Sequence, residues 1–439
     1  MNAAAYLKNS IAENLVRRTP GIYQRFQHLA QRSETMSLDE RRALRDALTL
    51  RTLAKARKTR HGKMLESPGS FSDWPILEKE MLRQDPDLCS VRTLLPAHAA
   101  STGGTTGIPI KLRRSLSSVV FEQAILDHLV HRFSGLDLKT ARVAVLRGDA
   151  FKDPGDTKPP FWQEKTGNFR LVASSFHLNG STISAFIAAF RKFQPDLLWV
   201  YPSSLEAFVR LGDDGLKDHP IKSLKLVLSS SEVLSADVSR EATEKLNVPV
   251  LDFYGQSERV SASYSVAGNE HYFLPAYGRV ELLPVEDSDA SGLYEIIGTS
   301  YWNAAQPLVR FRTGDLARLP GGMSVEEIEA VTLGILPFLG VEGRQSEYVL
   351  SPEGSRLIGM NHIPRGVPDI AQMQIIQTEA ARVEIQVVPL PSFGEESRKI
   401  ILANARQKIP SSVDIEIKTV DAVTRTKSGK TPLVMRLVD

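Results

Sequence analysis

The sequence predicts an α/β protein: a large N-terminal region of parallel βαβ sheets with a β-rich part, followed by a small α+β C-terminal domain. Three observations predict it. Between Ile183 and Phe253, apolar strand-like runs alternate with amphipathic helical stretches, the signature of parallel units covered on both faces. From Arg279 onward short strand-like runs follow one another with few helices between them. After Gly343 the order becomes strand, helix, strand.

Each element has a local reason. Residues 1–66 form a helical lead-in, with Ile11, Leu15, Ile22 and Phe26 and then Leu44, Leu48 and Leu53 at helical spacing. An amphipathic helix carries Ile183, Phe186, Ile187 and Phe190. Asp196–Tyr201 reads as a buried strand, and Ser203–Leu211 as a helix stopped by Gly212. Leu224–Leu228 is a second strand, Ser235–Leu246 a helix with Ser235 as its N-cap, and Val248–Phe253 a third strand. Arg279–Leu283, Leu293–Ile297 and Leu308–Arg312 are the short strands of a β-rich part spanning 279–342. Arg382–Val388, Glu395–Ile409 and Val413–Val420 make the final strand–helix–strand. The expected division is therefore a large domain over 1–342 and a small one over 343–439.

Composition narrows the function. At 439 residues, 42% hydrophobic and 24% charged, the chain suits a globular protein with a large core and excludes a disordered chain, a collagen repeat or a coiled-coil rod. A formal charge of +3 is too small a bias to argue for nucleic acid. The charge is uneven: residues 1–66 hold 14 Lys/Arg against 6 Asp/Glu, so a phosphate-rich partner or simply a solvated helix face are both open for Arg51–Lys63. Cys89 is the single cysteine, which excludes an intrachain disulfide and a thiolate zinc site. It is either a buried small hydrophobe or an acyl acceptor. No signal-peptide core and no apolar run of spanning length is present, so no membrane span and a cytoplasmic location are expected.

The sharpest local signal is Ser101-Thr102-Gly103-Gly104-Thr105-Thr106-Gly107-Ile-Pro. Glycines let a backbone turn closely round a ligand, and hydroxyls with free N–H groups suit a polyphosphate. It lacks the Gly-Lys-Ser/Thr of a Walker loop, and the alternation Ile108, Ile110, Leu112 leads into a strand instead of a helix. The other reading is a flexible Gly/Thr turn. Tyr254-Gly255-Gln-Ser-Glu258 follows the third parallel strand, where ligands of open α/β sheets gather. Its aromatic ring suits a base and its acid a hydrated Mg²⁺; otherwise it is a capped loop with a solvated Glu. Phe311-Arg-Thr-Gly-Asp315 ends a strand with a carboxylate suited to a ribose diol, or to ordinary turn chemistry. Gly343-Arg344-Gln-Ser-Glu347 is a candidate hinge, and Arg425-Thr-Lys-Ser-Gly-Lys430 offers one positive charge on a tail to a developing phosphate charge, or only a basic tail in water.

The order of these five motifs resembles the adenylate-forming superfamily of acyl-CoA synthetases, peptide-synthetase adenylation domains and luciferases. Tyr254-Gly-Gln-Ser-Glu-Arg259, Ala371-Gln-Met-Gln-Ile-Ile-Gln377 and His271-Tyr-Phe-Leu-Pro are similar to its phenylacetate–CoA ligase branch, within it to CapK-like proteins and coenzyme F390 synthetases. The resemblance runs from about residue 70 to the C-terminus. It implies that a carboxylate attacks the α-phosphate of ATP-Mg²⁺ to give acyl-AMP and pyrophosphate. A thiol, of coenzyme A or of a carrier protein's phosphopantetheine, then takes the acyl group. By motif, Ser101–Gly107 would grip the β- and γ-phosphates, Tyr254 would stack on adenine beside Gly255, and Glu258 would bind Mg²⁺. Asp315 and Arg344 would hold the ribose, and Lys430 would contact the α-phosphate and attacking carboxylate. The small domain would be mobile and swing between half-reactions.

The sequence departs from the family in three places. Ser346 stands where an acidic hinge residue is common, Ile110 follows Pro109 where a Lys is usual, and no cysteine-rich metal site can form. Trp199, Tyr201, Phe176, His177, Ser229 and Ser230 are candidates for the acyl pocket, most of them equally readable as core or wall. The partner expected is a small carboxylic acid, with an acyl carrier protein as a possible second. Two other functions compete: transfer of the acyl group to an amine, hydroxyl or sugar, and a non-catalytic nucleotide-binding protein.

Overall fold

In the computed structural model, strand-forming and helix-forming stretches segregate as their periodicities require, giving a mixed α/β architecture with parallel and antiparallel sheets. The structure describes residues 14–66, 68–102, 109–148, 151–165, 169–266, 268, 270–285, 292–344, 348–352, 354, 356–357, 360–426 and 429–437. Two units divide it: Met1–Leu138 with Phe253–Val341, and Lys139–Asp252 with Glu342–Asp439.

In the second unit the strands lie in the order Trp162–Lys165, Arg170–Ala173, Val143–Leu146, Leu197–Val200, Leu226–Ser230, Val250–Gly255, the last running on across the division. Val143–Leu146 pairs parallel with Arg170–Ala173 and with Leu197–Val200, which pairs parallel with Leu226–Ser230; the outer Trp162–Lys165 pairs antiparallel with Arg170–Ala173. Continuous apolar runs are what a sheet covered on both faces demands. Helices Ile183–Phe193, Pro202–Leu211 and Ala236–Leu246 cover it, burying Phe186, Phe190 and Phe208 against Leu198, Val200 and Val227. Ser235 caps the last helix, its hydroxyl accepting from Val238 N.

The same unit holds the C-terminal sheet, in the order Asp414–Thr419, Arg382–Pro389, Ile370–Glu379, Val434–Arg436, with helix Glu395–Arg406 packed on it through Ile401 and Ala405. Its longest strand, Ile370–Glu379, is absent from the expected elements because glutamines at positions 372, 374 and 377 break the apolar pattern. All three are buried, and each amide is hydrogen-bonded to backbone.

The first unit carries the N-terminal helices Ile22–Thr35 and Leu38–Ala56 and the helix Leu116–Ser134. Its antiparallel sheet has the order Gly278–Pro284, Leu293–Ser300, Phe311–Arg318, Gly340–Arg344. The third strand begins at Phe311, later than the apolar run at Leu308 suggests. Leu308 and Val309 pack into core clusters, and Arg310 after them is left-handed at φ 48°, so the extended run restarts at Phe311. The hairpin Ala262–Ser265 and Tyr272–Phe273 belongs to this unit, as does the bridge of His271 to Phe338 through paired backbone bonds of 2.9 Å. Among the described residues no helix is long and apolar enough to cross a membrane.

His271 is 5% exposed, and burial drives its imidazole down from the ordinary value near 6.5 to about 4. The unfolded chain therefore binds this proton between roughly pH 6.5 and 4, and the folded chain does not. Stability from this residue is complete above that window and falls as pH drops through it, by up to about 3 kcal/mol. Denaturant unfolding at pH 7 and pH 4.5 is expected to show that loss, and His271→Phe is expected to reduce it.

Candidate active site

The loop proposed for phosphate binding joins two antiparallel strands, His98–Ser101 and Lys111–Arg114, with Ser101 opposite Lys111. Its ends are tied: Thr102 N donates to Ile110 O (3.1 Å), and Ile110 N to the Thr102 hydroxyl (2.9 Å). Gly103, Gly104, Thr105, Thr106 and Gly107 lie outside the described residues.

In the first unit, two motifs 61 residues apart meet: the Tyr254 hydroxyl donates to Asp315 Oδ2 (2.9 Å). Gln256 donates to the same Tyr254 oxygen and to the Ser261 hydroxyl (2.7 Å). Burial first, and the Asp315 carboxylate second, push the Tyr254 hydroxyl well above its usual value, so it stays a proton donor at neutral pH. Asp315 is buried; its backbone N donates to Thr313 Oγ1 (3.0 Å), and Gly314 supplies the left-handed turn before it at φ 68°. The carboxylate is thus oriented from the strand and from Tyr254 together. The Tyr254 ring packs on the cluster of Phe273, Val280 and Phe338.

Glu258 is 6% exposed, which excludes a merely solvated Glu. It sits in a turn closed by Arg259 N on Gln256 O (3.1 Å). Arg114 donates to the neighbouring Ser257 O (2.7 Å), and burial, then Arg259, lower its pKa while Glu122 and Glu258 oppose them. Arg259, left-handed at φ 56°, donates to Ser118 O (2.7 Å). Among the described residues no group of three or more His, Cys, Asp or Glu could hold a metal.

In the second unit, the loop ending in Lys430 is docked at the carboxyl ends of the parallel strands. Gly429 makes this possible, since a Cβ there would lie 2.3 Å from Gly148 Cα. Lys430 Nζ donates to Ser231 O (2.9 Å) and lies 5.8 Å from the Tyr201 ring centroid. Thr431 N donates to Glu232 Oε1 (2.8 Å), while Glu232 Oε2 accepts from Ser203 N (3.0 Å) at the start of helix Pro202–Leu211. Arg425 is driven down to about 10 by burial, opposed by Glu232. The basic stretch is therefore not a tail in water over its described residues. Gln374, fully buried, holds both flanks: its Nε2 donates to Thr424 O and Pro432 O (both 2.9 Å), and its Oε1 accepts from Thr424 N (2.9 Å).

Arg344 closes strand Gly340–Arg344, and its side chain, with Ser346 and Glu347 of the expected hinge, lies outside the described residues. Gly255 ends its strand. Cys89 is buried and its thiol is pushed up to about 12 by burial, which leaves it a small hydrophobe and not an acyl acceptor. The sequence reading missed Arg147, Glu232 and Gln374. Only Gln374 left a signal there, as one of three glutamines that interrupt an apolar run.

Residues 349–436 match the family model of the CapK C-terminal domain. The chain is 23% identical over 372 residues to Protein CapK of Staphylococcus aureus, covering 82% of this chain and 79% of that protein. It is 28% identical over 167 residues to a phenylacetate-coenzyme A ligase of Pseudomonas putida, a match spanning 36% of this chain and 37% of the ligase. Among solved structures, an acyl acid amido synthetase in complex with 2,4-DB aligns with a TM-score of 0.60 at 13% identity over 94% of each chain. A 2-hydroxyisobutyryl-CoA ligase in the postadenylation state with 2-HIB-AMP aligns at 0.56 and 13% identity, over 94% of this chain and 88% of that one. At that identity the likeness establishes the fold.

Removing the Gln374 clamp strands buried backbone groups at Thr424 and Pro432, at a cost of about 1–3 kcal/mol each. Gln374→Leu is therefore expected to lower the unfolding midpoint. Limited trypsin digestion should cut within Arg425–Lys430 markedly faster than in the parent.

Proposed function

We propose that the chain, which is similar to CapK and to phenylacetate–CoA ligases, is an AMP-forming acid–thiol ligase of the adenylate-forming superfamily. A carboxylate oxygen attacks the α-phosphorus of ATP, the bond to the β-phosphate oxygen breaks, and pyrophosphate leaves. A thiol then attacks the acyl carbonyl; AMP leaves and the thiol proton passes to solvent. Coenzyme A or a carrier protein's phosphopantetheine is the thiol, and a small carboxylic acid the substrate.

The observation that carries this reading is the placement of Lys430. A lysine near the C-terminus is held at the carboxyl ends of parallel strands, where ligands of such sheets bind. Phosphoryl transfer rests on positioning and charge neutralisation, and an ammonium supplies both to the α-phosphate. The remaining roles follow the motifs. Ser101–Gly107 hold the β- and γ-phosphates, and Tyr254 with Gly255 faces adenine. Asp315, aimed by Tyr254, holds the ribose together with Arg344. Glu258 offers Mg²⁺ one hard oxygen, which fits the chemistry of that ion. Residues 343–439 form the segment that moves between half-reactions, and its release requires the Glu232 and Gln372 contacts to break.

An acid-dependent ATP–pyrophosphate exchange screen tests the reading, and absence of exchange with every acid would leave a nucleotide-binding protein. Product mass spectrometry with coenzyme A, holo-carrier protein and amines separates a thiol acceptor from an amine, hydroxyl or sugar. Lys430→Ala is expected to abolish exchange, by about a thousandfold or more, with ATP binding largely retained. Near-normal exchange in that variant would remove Lys430 from the chemistry. Glu258→Gln is expected to raise the Mg²⁺ requirement and depress turnover; superimposable Mg²⁺ titrations would make Glu258 structural only.

A further inference from the structure

We propose that Arg147 is a second cation of the adenylate site, binding the same α-phosphate as Lys430; this rests on the ligase reading of Lys430 above. Four observations converge on the pair. Arg147 follows strand Val143–Leu146 at its carboxyl end, the edge to which Lys430 is also brought. Both cations reach one serine: Arg147 NH2 donates to Ser231 Oγ (2.8 Å) and Lys430 Nζ to Ser231 O (2.9 Å). Both also face one ring. The Arg147 guanidinium carbon lies 5.1 Å from the Tyr201 centroid and 4.6 Å from that of Trp199, and Lys430 Nζ lies 5.8 Å from Tyr201. Finally, their backbone neighbours are in contact. Gly148, next to Arg147, meets Gly429, next to Lys430, so closely that a Cβ on Gly429 would stand 2.3 Å from Gly148 Cα. The two positions are therefore linked through backbone and not only through long side chains.

The shared serine carries a further mark. Ser231 holds φ 78°, a left-handed conformation that costs a non-glycine residue energy and recurs where a site imposes it. That turn presents its carbonyl to the lysine and its hydroxyl to the arginine. Two like charges brought to one residue repel each other, and an anionic phosphate relieves that repulsion. A guanidinium adds what an ammonium cannot: a planar fork able to take two phosphate oxygens at once. Trp199 and Tyr201 hold the guanidinium by cation–π contact. Lys430 then neutralises the reacting oxygens while Arg147 fixes the orientation of the phosphate.

The test compares AMP with adenosine, which lacks the phosphate, by titration calorimetry on the full chain. Arg147→Gln is expected to weaken AMP by about tenfold and leave adenosine unchanged. Arg147→Lys, which keeps the charge and loses the fork, is expected to lose about threefold for AMP, and it serves where Arg147→Gln melts early. An AMP-to-adenosine affinity ratio in a folded Arg147 variant equal to that of the parent overturns the proposal. If the parent itself shows exchange, the ligase reading survives that result. If the parent shows neither exchange nor a preference for AMP over adenosine, both fall.

Discussion

The contact of Gly429 with Gly148 is so close that one methyl group would not fit, and the arrangement of the second unit's candidate site residues depends on it. The backbones can approach to that distance only where position 429 carries no Cβ. Once they do, the loop bearing Lys430 lies against the carboxyl ends of the parallel strands. Glu232 and Gln374 then have partners within reach: one carboxylate joins Ser203 N to Thr431 N, and one buried amide joins Thr424 to Pro432. Gln374 is fully buried and would be costly unpaired, and the half-buried Glu232 adds two backbone hydrogen bonds, so together they help specify one position for the loop.

A parallel logic governs the first unit. Tyr254 and Asp315 come from strands of different sheets, and the hydroxyl bonded to the carboxylate aligns both. Burial keeps the tyrosine protonated and therefore a donor to that carboxylate. Around Glu258 the arginines 114 and 259 are anchored on backbone carbonyls, Ser257 O and Ser118 O, so the local charge is set by groups with little freedom to move. Fixed charges of this kind are what a reaction that relies on positioning requires.

Much of the fold was legible because it follows from periodicity. The alternating helices and strands between Ile183 and Gly255 appear within a few residues of where apolar spacing puts them, and Ser235 caps its helix as expected. Strand Ile370–Glu379 was not legible as a strand. Its glutamines read as surface residues until their partners, Ser203 O, Thr424 and Leu350, are brought beside them by the fold. The late start of strand Phe311–Arg318 has a backbone cause: Arg310, left-handed at φ 48°, interrupts the extended run that apolar spacing begins at Leu308.

By itself the sequence determined the class of the fold, the order of the motifs and the residue types that the chemistry needs: a lysine after glycine near the end, an acid after Tyr-Gly, an acid after Thr-Gly. Those are properties of local spacing and of side-chain chemistry, and they survive without knowledge of distance. Which residues stand beside them was decided only in three dimensions. Arg147 lies 283 positions before Lys430 and in no motif with it, yet both touch Ser231. Glu232 reads as one more acid in a serine-rich turn until Thr431 N reaches it. The physical reason is that a hydrogen bond extends about 3 Å and carries no record of chain separation, so such partners appear only when the sheet and its loops have closed.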